Sequence, residues 1–575
     1  MSLKEKVAQT FDSFADILEF KGDNPFKINA FRNGAAILRD LEGDLQEMIL
    51  DGSIKSVKGI GKGLLAVIYD IHEKGFSTDY ENLIGEIPPG ILDFMNIHGL
   101  GVKKVKLIYD SLGISSLEEL EDACKSNRLA SLKGFGEKTQ EAILQEITRI
   151  KSTRNLTLLD DAKKKTDLIL TALGEFKSIK KAEPSGEYRR SMEVISKLEF
   201  VILTSGLEDF RLELKNHYFF DDTDVAEDCL LEVVNLNKSL THKCFLIKEE
   251  YYVPVYFIVT ESLRDYENFL FLTTGSPEFL KMADAEGRVF NHEHEGGIFS
   301  DLNMPPVIPE MREKEYFSAP DKLRKNSELG ILDFRGLLHF HTTYSDGKNT
   351  LTEMAEAAKD NVFTYLAVCD HSKAAFYANG LTEARVLEQK KEIEKVSRTL
   401  DIPIFHGVES DILKDGELDY DTDFMKNFQF VVASVHSRFK LSEDEMTSRI
   451  IKAVENPYTD LLGHPTGRLL LQRSPYNVDL VKVIDACAAN NVAIEINASP
   501  YRLDLDWRMI YYAREKGCMF SINPDAHSIL GIEEINYGIR VARKGGLQPE
   551  EVINCMDLER FKKFLLRKVK RDISY

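Results

Sequence analysis

The stretch LLHFHTTYSDG, residues 337–347, joins an apolar run to two histidines and an aspartate. Side chains alternate across a β-strand, so His339 and His341 would lie on one face of it. Imidazole and carboxylate ligands without thiolates suit zinc, manganese or iron. The stretch therefore predicts a strand that leads into a metal site, with Asp346 close behind.

Six further segments repeat this arrangement of a short apolar strand with a polar or ionisable residue at its end. Together the seven read RGLLHF, YLAVCD, IPIFHGVE, FVVASVH, TDLLGHP, NVAIEIN and GCMFSIN, and helical segments such as LTEMAEAAKD separate them. Repeated βα units indicate a parallel sheet, and seven favour a closed, distorted (β/α)7 barrel over residues 331–575. Such barrels carry their active sites at the carboxyl ends of the strands, where the candidate ligands fall. These ligands are His339, His341, Asp346, His371, Glu409, His436, His464, Asp525 and His527.

The candidate ligands suit phosphoester hydrolysis. A carboxylate such as Glu409 can bridge two metal ions that clamp a phosphodiester and acidify a water for in-line attack. A single histidine would be better explained as a buried core side chain, and His406, which fits no ligand position, is predicted to be structural. Nine candidate ligand residues near strand ends instead favour a metal centre.

Residues 1–155 are predicted to be all-helical, and they contain a short glycine motif three times. The copies are VKGIGK at 57–62, IHGLGVK at 97–103 and LKGFGEK at 132–138. They look like helix-hairpin-helix units, in which two glycines let a nucleic-acid strand approach closely and helix amides point at a phosphate. One copy alone would be a plain helical turn. Three copies predict sequence-independent DNA binding through Gly59, Gly61, Lys62, Gly99, Gly101, Lys103, Lys104, Gly134, Gly136 and Lys138.

Charge and cysteine content limit the class of protein. A net charge of −20 over 575 residues excludes a generally basic nucleic-acid coat, so DNA contacts must be local. Seven cysteines without a C-x-x-C pair are predicted to be buried thiols in a reducing compartment. No apolar run approaches the ~20 residues that span a bilayer. We therefore expect a cytoplasmic protein without membrane contact, whose oligomeric state the sequence leaves open.

The middle of the chain changes to β-branched and aromatic runs such as LEFVILT, KCFLIK and YYVPVYFIVT. These predict an α+β domain over residues 156–300 with a mostly antiparallel sheet. Residues 301–330 are proline-rich, charged and aperiodic, which predicts a linker. The chain is therefore expected to be multidomain.

The strings LLHFHTTYSDG, CDHSK, HGVESDIL, SVHS, GHPTGRLLL, EINASPYRLDL and NPDAH resemble the polymerase-and-histidinol-phosphatase (PHP) family. The resemblance implies up to three ions of manganese, zinc or iron. It assigns His339, His341, Glu409 and Asp525 to the first, Glu409, His436 and His464 to the second, and Asp346, His371 and His527 to the third. Asp370 and Asn497 would orient ligands. Because arginine matches phosphate in a bidentate way, candidates for gripping the substrate are Arg468, Arg473, Arg502 and Lys373.

The order of the parts is similar to that of bacterial and archaeal X-family DNA polymerases with a C-terminal PHP domain. NPFKINAFRNGA, TTGSPEF and MPPVIPEMRE also resemble that family. Its palm carries a serine and three aspartates that serve the nucleotide and two magnesium ions. The matching positions here hold Glu187, Lys197, Glu199 and Tyr256. An ammonium repels a cation and a neutral phenol is a weak ligand, so the expectation is a polymerase-like palm without magnesium or nucleotidyl transfer.

The leading expectation is a metal-dependent DNA phosphodiesterase. It would act as a 3′→5′ exonuclease or 3′-end-processing enzyme in DNA repair, such as base excision repair, on gapped, nicked or 3′-recessed DNA. One alternative is an active gap-filling polymerase with the PHP domain as proofreader, against which Glu187, Lys197 and Tyr256 argue. A non-catalytic DNA-binding scaffold is another, and the complete ligand set argues against it. A small-molecule phosphatase would have no use for the glycine hairpins.

Overall fold

The chain forms two compact units, residues 1–154 and 155–575. This computed structural model describes residues 3–41, 45–95, 97, 99–220, 224–227, 243–248 and 253–573. Cys229 lies outside those ranges, and the other six cysteines are free and largely buried. Within the described ranges no helix is both long and apolar enough to cross a membrane.

The first unit is helical throughout its described part, as the sequence predicts. Its helices are α1 (Leu3–Lys21), α2 (Pro25–Asp40), α3 (Leu45–Leu50), α4 (Lys62–Lys74), α5 (Thr78–Ile84), α6 (Pro89–Met95), α7 (Val102–Leu112), α8 (Leu117–Lys125) and α9 (Glu137–Thr153). The apolar stripes of these amphipathic helices face one core. In it Phe14 of α1 and Phe31 of α2 stack with their ring centroids 4.3 Å apart.

The second unit begins with an α+β region that contains a five-stranded sheet and a separate two-stranded sheet formed by its first and third strands. Its elements are β1 (Thr157–Leu158), α10 (Leu159–Leu173), β2 (Ile179–Ser185), α11 (Gly186–Arg189), β3 (Val194–Ile195), β4 (Leu198–Thr204), α12 (Leu207–Asn216), β5 (Asp224–Glu227), β6 (Lys243–Lys248), β7 (Val255–Thr260), α13 (Leu263–Thr274), α14 (Pro277–Met282), α15 (Glu295–Asp301) and α16 (Lys314–Ser318). The strand order is β2-β4-β7-β6-β5. Only β4 and β7 pair in parallel, which agrees with the predicted mostly antiparallel sheet. All residues of β4 are buried, as expected for a central strand covered on both faces.

A seven-stranded parallel barrel follows. Its elements are β8 (Gly336–Leu338), α17 (Leu351–Asp360), β9 (Tyr365–Val368), α18 (Glu383–Leu400), β10 (Ile404–Asp411), β11 (Phe430–Ser434), α19 (Glu443–Glu455), β12 (Leu461–Leu462), α20 (Leu480–Ala489), β13 (Ala493–Asn497), α21 (Trp507–Glu515), β14 (Phe520–Asn523), α22 (Ile535–Lys544) and α23 (Leu558–Leu565). The strands lie in sequence order. A bridge between Phe340 and Ala526 links the first strand to the last and nearly closes the ring. The predicted (β/α)7 architecture is confirmed.

The last helix, α23, packs against the barrel's apolar interior. Phe561 stacks on Tyr365 at 4.8 Å and contacts Phe405 at 5.2 Å between ring centroids. Beyond the helix, Arg567 and Arg571 pair with the buried carboxylate of Asp460. Because this apolar cluster draws on the strand residues that precede the candidate ligands, it lies below them and supports the strands that carry them.

Residues 301–330 are packed and do not form a free tether. Arg312 is 2% exposed and donates to both carboxylate oxygens of Glu295, at 2.9 and 2.8 Å. The Glu313 carboxylate receives Arg190 from the five-stranded sheet at 2.9 Å and Lys544 from the barrel at 2.6 Å. Buried charges need such partners. Composition alone could not show them, since they come from distant parts of the chain.

A second contact joins the sheet region to the barrel. The indole nitrogen of Trp507, the only tryptophan of the chain, donates to Glu193 at 3.0 Å. Arg508 donates to the same carboxylate at 2.7 Å and also to Asp506. Sheet and barrel therefore form one packed body, which explains why residues 155–575 constitute a single unit.

Candidate functional site

The nine candidate ligands come together at one end of the barrel. Most lie at or just beyond the carboxyl end of a strand, where side chains from neighbouring parallel strands converge; Glu409 lies near the end of β10 itself and Asp346 farther along the loop after β8. Three of them have left-handed backbone that a non-glycine residue adopts only at a cost, His339 at φ 62°, His464 at φ 23° and Asp525 at φ 53°. Tertiary packing enforces this conformation, and it aims the three side chains at the cluster.

Glu409 is the centre of the cluster. One of its carboxylate oxygens lies 3.1 Å from His464 Nε2 and 3.2 Å from His436 Nε2. The other lies 2.9 Å from His371 Nδ1 and 3.6 Å from His341 Nε2. His339 approaches within 3.5 Å. A buried carboxylate that faces five imidazoles from two sides has the arrangement of a bridging ligand.

Two smaller groups flank this centre. Asp346 lies 3.3 Å from His527 Nε2 and 3.6 Å from His371 Nε2. Asp525 lies 3.0 Å from His341 Nε2 and 3.5 Å from His339 Nε2. Ligand atoms close enough to share an ion occur in three sets, which together contain His339, His341, Asp346, His371, Glu409, His436 and His527. His464 and Asp525 adjoin these sets through the distances given above.

The cluster fits divalent metal ions on the evidence of its unsatisfied atoms. His339 Nε2, His371 Nδ1 and Glu409 Oε2 face the cluster, are buried and lack a hydrogen-bond partner. The contact of His371 Nδ1 with Glu409 Oε2 is short but does not have hydrogen-bond geometry. Buried polar atoms normally have partners, and nitrogen and carboxylate donors without thiolates suit zinc, manganese or iron. Cations between these atoms would satisfy them.

Electrostatics favour cations here as well. Burial raises the pKa of Glu409, but the charges of His436, His371 and His339 outweigh it and hold the pKa well below its usual range. Burial lowers the pKa of His436, but Glu409 and Asp411 raise it to about 10. In the absence of ions, protons on His339 and His436, whose pKa values are raised, offset part of the carboxylate charge, whereas burial and the neighbouring His527 and His371 lower the pKa of His341 to about 3. Metal ions would take the place of those protons.

Residues behind the ligands hold them in place. Glu495 lies 2.7 Å from His339 Nδ1 and accepts the backbone N–H of His464 at 2.7 Å. Asp411 lies 2.6 Å from His436 Nδ1. Such contacts fix which ring nitrogen faces the metal. Neither residue was among those predicted from the sequence. Their spacing of two from Asn497 and Glu409, which places them on the same strand faces, is a signal that could have found them.

Asp370 and Asn497 lie where an orienting role requires. Asp370 accepts from the backbone and hydroxyl of Thr342 at 2.8 and 2.7 Å, and from the Ser345 hydroxyl at 2.5 Å. It thereby holds the loop that carries Asp346. The amide of Asn497 donates to Asp525 at 3.0 Å.

The four candidate phosphate-gripping residues differ in their availability. The structure contradicts this role for Arg468, because its guanidinium is committed to Asp506 at 2.5 Å and to the carbonyls of Arg502 and Leu503. Lys373 pairs with Glu383 at 2.6 Å, and Arg473 donates to the Gly467 carbonyl. Arg502 stays available, since within the described residues its side chain makes no hydrogen bond or ion pair. Loop carbonyls bind the guanidinium of Arg468, and the sequence alone cannot show that the fold brings these carbonyls within reach.

The palm positions form a second, smaller cluster. Strands β4 and β7 pair so that Glu199 lies opposite Tyr256. Lys197 Nζ lies 2.9 Å from Glu199 Oε1 and 5.9 Å from the centre of the Tyr256 ring. Glu187 accepts from the backbone and hydroxyl of Ser196 at 2.6 and 2.9 Å. Three of the four sequence-predicted positions therefore lie together, and the Lys197 ammonium is paired with the Glu199 carboxylate.

The glycine hairpins lie in the first unit as expected. Gly61, Gly101 and Gly136 are the N-caps of α4, α7 and α9. Their φ angles of −83°, −72° and −123° are open to any residue, and no heavy atom lies within 4 Å of a Cβ added at any of them. The fold does not require glycine at these caps. A bare backbone at a helix N-terminus suits an anion that approaches from outside.

The barrel with its histidine and carboxylate cluster defines a metallophosphoesterase domain of the PHP type. Residues 338–499 match the PHP domain family. Residues 2–76 match the helix-hairpin-helix domain and residues 91–149 the SAM-like helix-hairpin-helix tandem. PHP domains are metal-dependent, and the clusters described above could bind metal.

Full-length similarity gives the family. The chain is 32% identical to the DNA polymerase/3′-5′ exonuclease PolX of Bacillus subtilis (strain 168), over 98% of this chain and 99% of the relative. A probable phosphatase of Thermoanaerobacter sp. (strain X514) is 27% identical over 40% of this chain and 95% of its own length. The chain belongs to the PolX family, the X-family DNA polymerases with a C-terminal PHP domain. It is a DNA-processing enzyme.

Proposed function

We propose that this chain is a metal-dependent 3′→5′ exonuclease whose only working catalytic centre is the PHP barrel. The observation that carries the proposal is the buried bridging geometry of Glu409, which faces five histidines in a fully assembled cluster. The relative's name records an exonuclease and a polymerase activity. Of these two activities, only the exonuclease has a complete set of metal-ligand residues in this chain.

The nine ligands divide as the family resemblance suggests. His339, His341, Glu409 and Asp525 would hold one ion, Glu409, His436 and His464 a second, and Asp346, His371 and His527 a third. Such ions supply an acidified water and neutralise phosphate charge. The chain's own contribution is to hold the ligands in fixed positions at one end of the barrel. Glu495 and Asp411 orient His339 and His436, and Asp370 fixes the loop of Asp346.

The five-stranded sheet is proposed to have lost nucleotidyl transfer. Lys197 places a positive charge beside Glu199, where a magnesium ion would need anionic oxygen. Glu187 is turned to Ser196. We propose that this region, together with the glycine hairpins and their lysines, binds gapped, nicked or 3′-recessed DNA without reading its sequence.

Digestion of 3′-labelled DNA with manganese tests the proposal. His339→Ala should abolish release of 3′ nucleotides and lower the metal content measured by elemental analysis. His292→Ala removes a histidine outside the barrel and serves as the matched control, with activity and metal content unchanged. Nuclease activity that persists in His339→Ala would remove the barrel from the mechanism.

A further inference from the structure

A short loop projects from the metal cluster with an aromatic tip. It comprises residues 372–381 between β9 and α18. Its base is tied to two candidate ligands, because the Ser372 amide donates to the Glu409 carbonyl at 3.0 Å and the Leu381 amide donates to the His371 carbonyl at 2.8 Å. Gly380 closes the base, where a Cβ would overlap the Ser372 carbonyl oxygen. The loop therefore has a fixed position beside the cluster.

The tip exposes two aromatic rings that the barrel's own packing does not use. Phe376 is 86% exposed, more than any other large apolar side chain in the described residues, and Tyr377 is 63% exposed. Their ring centroids lie 6.1 Å apart with planes nearly perpendicular. Two exposed rings on a loop held at both ends indicate a contact surface for something outside the chain.

The tip lies beside the acidic cluster and a free cation. Burial raises the pKa of the Tyr377 hydroxyl, and the charges of Asp411, Glu409 and Asp346 raise it further, while Arg502 lowers it. The base of the loop is hydrogen-bonded to Glu409 and His371, which places the loop at the ligand end of the barrel. Arg502 comes from the loop after β13, which opens at the same end of the barrel as the loop after β9. An aromatic surface and a guanidinium thus flank the place where a phosphodiester would be cut.

These two groups match the two parts of a nucleotide. A nucleobase offers a flat, uncharged face that stacks on an aromatic ring, and a guanidinium binds the phosphate beside it. A ring at a loop tip can stack only on a base that has left the duplex, because paired bases are already stacked on their neighbours. A free 3′ end supplies such a base next to the bond that is cut.

We propose that Phe376 and Tyr377 form a stacking subsite for the unpaired base of the 3′-terminal nucleotide, with Arg502 on the adjoining phosphate. The inference rests on the proposed exonuclease function and narrows its substrate to single-stranded or frayed 3′ ends. Phe376 and Arg502 are positioning residues here: they hold the strand and leave the ligands untouched.

The test compares two single-stranded oligonucleotides that differ only in the last residue. One ends in thymidine and the other in an abasic tetrahydrofuran nucleotide, and hydrolysis of both is measured with manganese. Phe376→Ala should raise KM for the thymidine end about tenfold and leave KM for the abasic end and kcat nearly unchanged. Phe376→Trp, which keeps a stacking surface, should behave like the wild type. Metal content should be equal in all three proteins.

A binding measurement without added metal gives a readout independent of hydrolysis. An oligonucleotide with 2-aminopurine at its 3′ end should lose fluorescence on binding wild type and Phe376→Trp, and much less on binding Phe376→Ala. Equal quenching by Phe376→Ala, or equal loss of activity on both ends, would overturn the stacking subsite. If wild type degrades neither oligonucleotide, the exonuclease function itself fails. If it degrades both with the same KM as Phe376→Ala, only the subsite fails.

Discussion

The ammonium nitrogen of Lys197 lies 2.9 Å from a carboxylate oxygen of Glu199, at the start of the interior strand β4 of the five-stranded sheet. Glu199 is 2% exposed, and Tyr256 is its partner on the neighbouring strand. The opposite charges of Lys197 and Glu199 therefore offset each other inside the sheet. A site that would need two or more anionic ligands for magnesium has instead one carboxylate already bound to a cation.

We expect no template-dependent primer extension on gapped DNA with magnesium or manganese. The reason is that Lys197 repels a metal ion at the position between Glu199 and Tyr256. Incorporation of labelled nucleotide into a gapped duplex measures this directly. Incorporation that disappears in Glu199→Ala would show a working palm and contradict the expectation.

Loss of the ammonium should destabilise the second unit. Lys197→Met leaves the Glu199 carboxylate buried and unpaired, which costs about 3 kcal/mol for a buried ion pair broken from one side. Because Trp507 is the only indole, its fluorescence during urea unfolding reports on this unit alone. We expect a lower urea midpoint for Lys197→Met than for wild type.

The same variant should depend on pH in a defined direction. Burial raises the pKa of Glu199, and Lys197 and Arg190 oppose that rise. Without Lys197 the folded-state pKa rises further while the unfolded-state value stays ordinary. Relative to wild type, Lys197→Met should therefore lose the most stability at pH values above the folded-state pKa of Glu199 in the variant. The difference should shrink as the pH falls through that pKa, because the buried carboxyl becomes neutral. The double variant Lys197→Met, Glu199→Gln should recover stability at neutral pH; failure to do so would implicate packing in place of charge.

The sequence predicted the barrel and the convergence of its ligands because both depend on a local rule. Six of the seven strands carry ligands at or beyond their carboxyl-terminal parts, and a parallel barrel brings those ends together. His339 and Asp525 are far apart in sequence but are both specified by strand ends. Arg468 shows the limit of the rule. Its partners are carbonyls and a carboxylate about 35 residues downstream, and only the folded loop puts them within reach.

Removal of the carboxylate behind His339 should weaken metal binding and leave the ligands intact. Glu495→Gln takes away the charge that lies 2.7 Å from His339 Nδ1. Changes to such supporting groups typically cost about 10- to 100-fold in metal affinity. Manganese titration of metal-stripped protein, followed by elemental analysis, measures the effect. Glu515→Gln, on an exposed residue at the end of α21, is the control. Equal affinities for the two variants would refute a role for Glu495.

A glycine at a hairpin cap should prove dispensable for folding and necessary for DNA binding. Gly101 has φ −72° and open space around its Cβ position, so Gly101→Ala fits the folded chain without strain. Alanine restricts the unfolded chain but is a poorer N-cap than glycine, and because these two effects oppose each other stability should change by less than ~1 kcal/mol. The added methyl group lies between a phosphate and the amides that begin α7, so affinity for nicked DNA should fall. Thermal unfolding of the helical unit and fluorescence anisotropy of labelled DNA measure the two effects, and we expect little change in the first and a clear loss in the second. Gly99→Ala, at φ 85°, should instead lower stability. If Gly101→Ala binds DNA as tightly as wild type at low and moderate salt, the hairpin at 97–103 does not contact the strand.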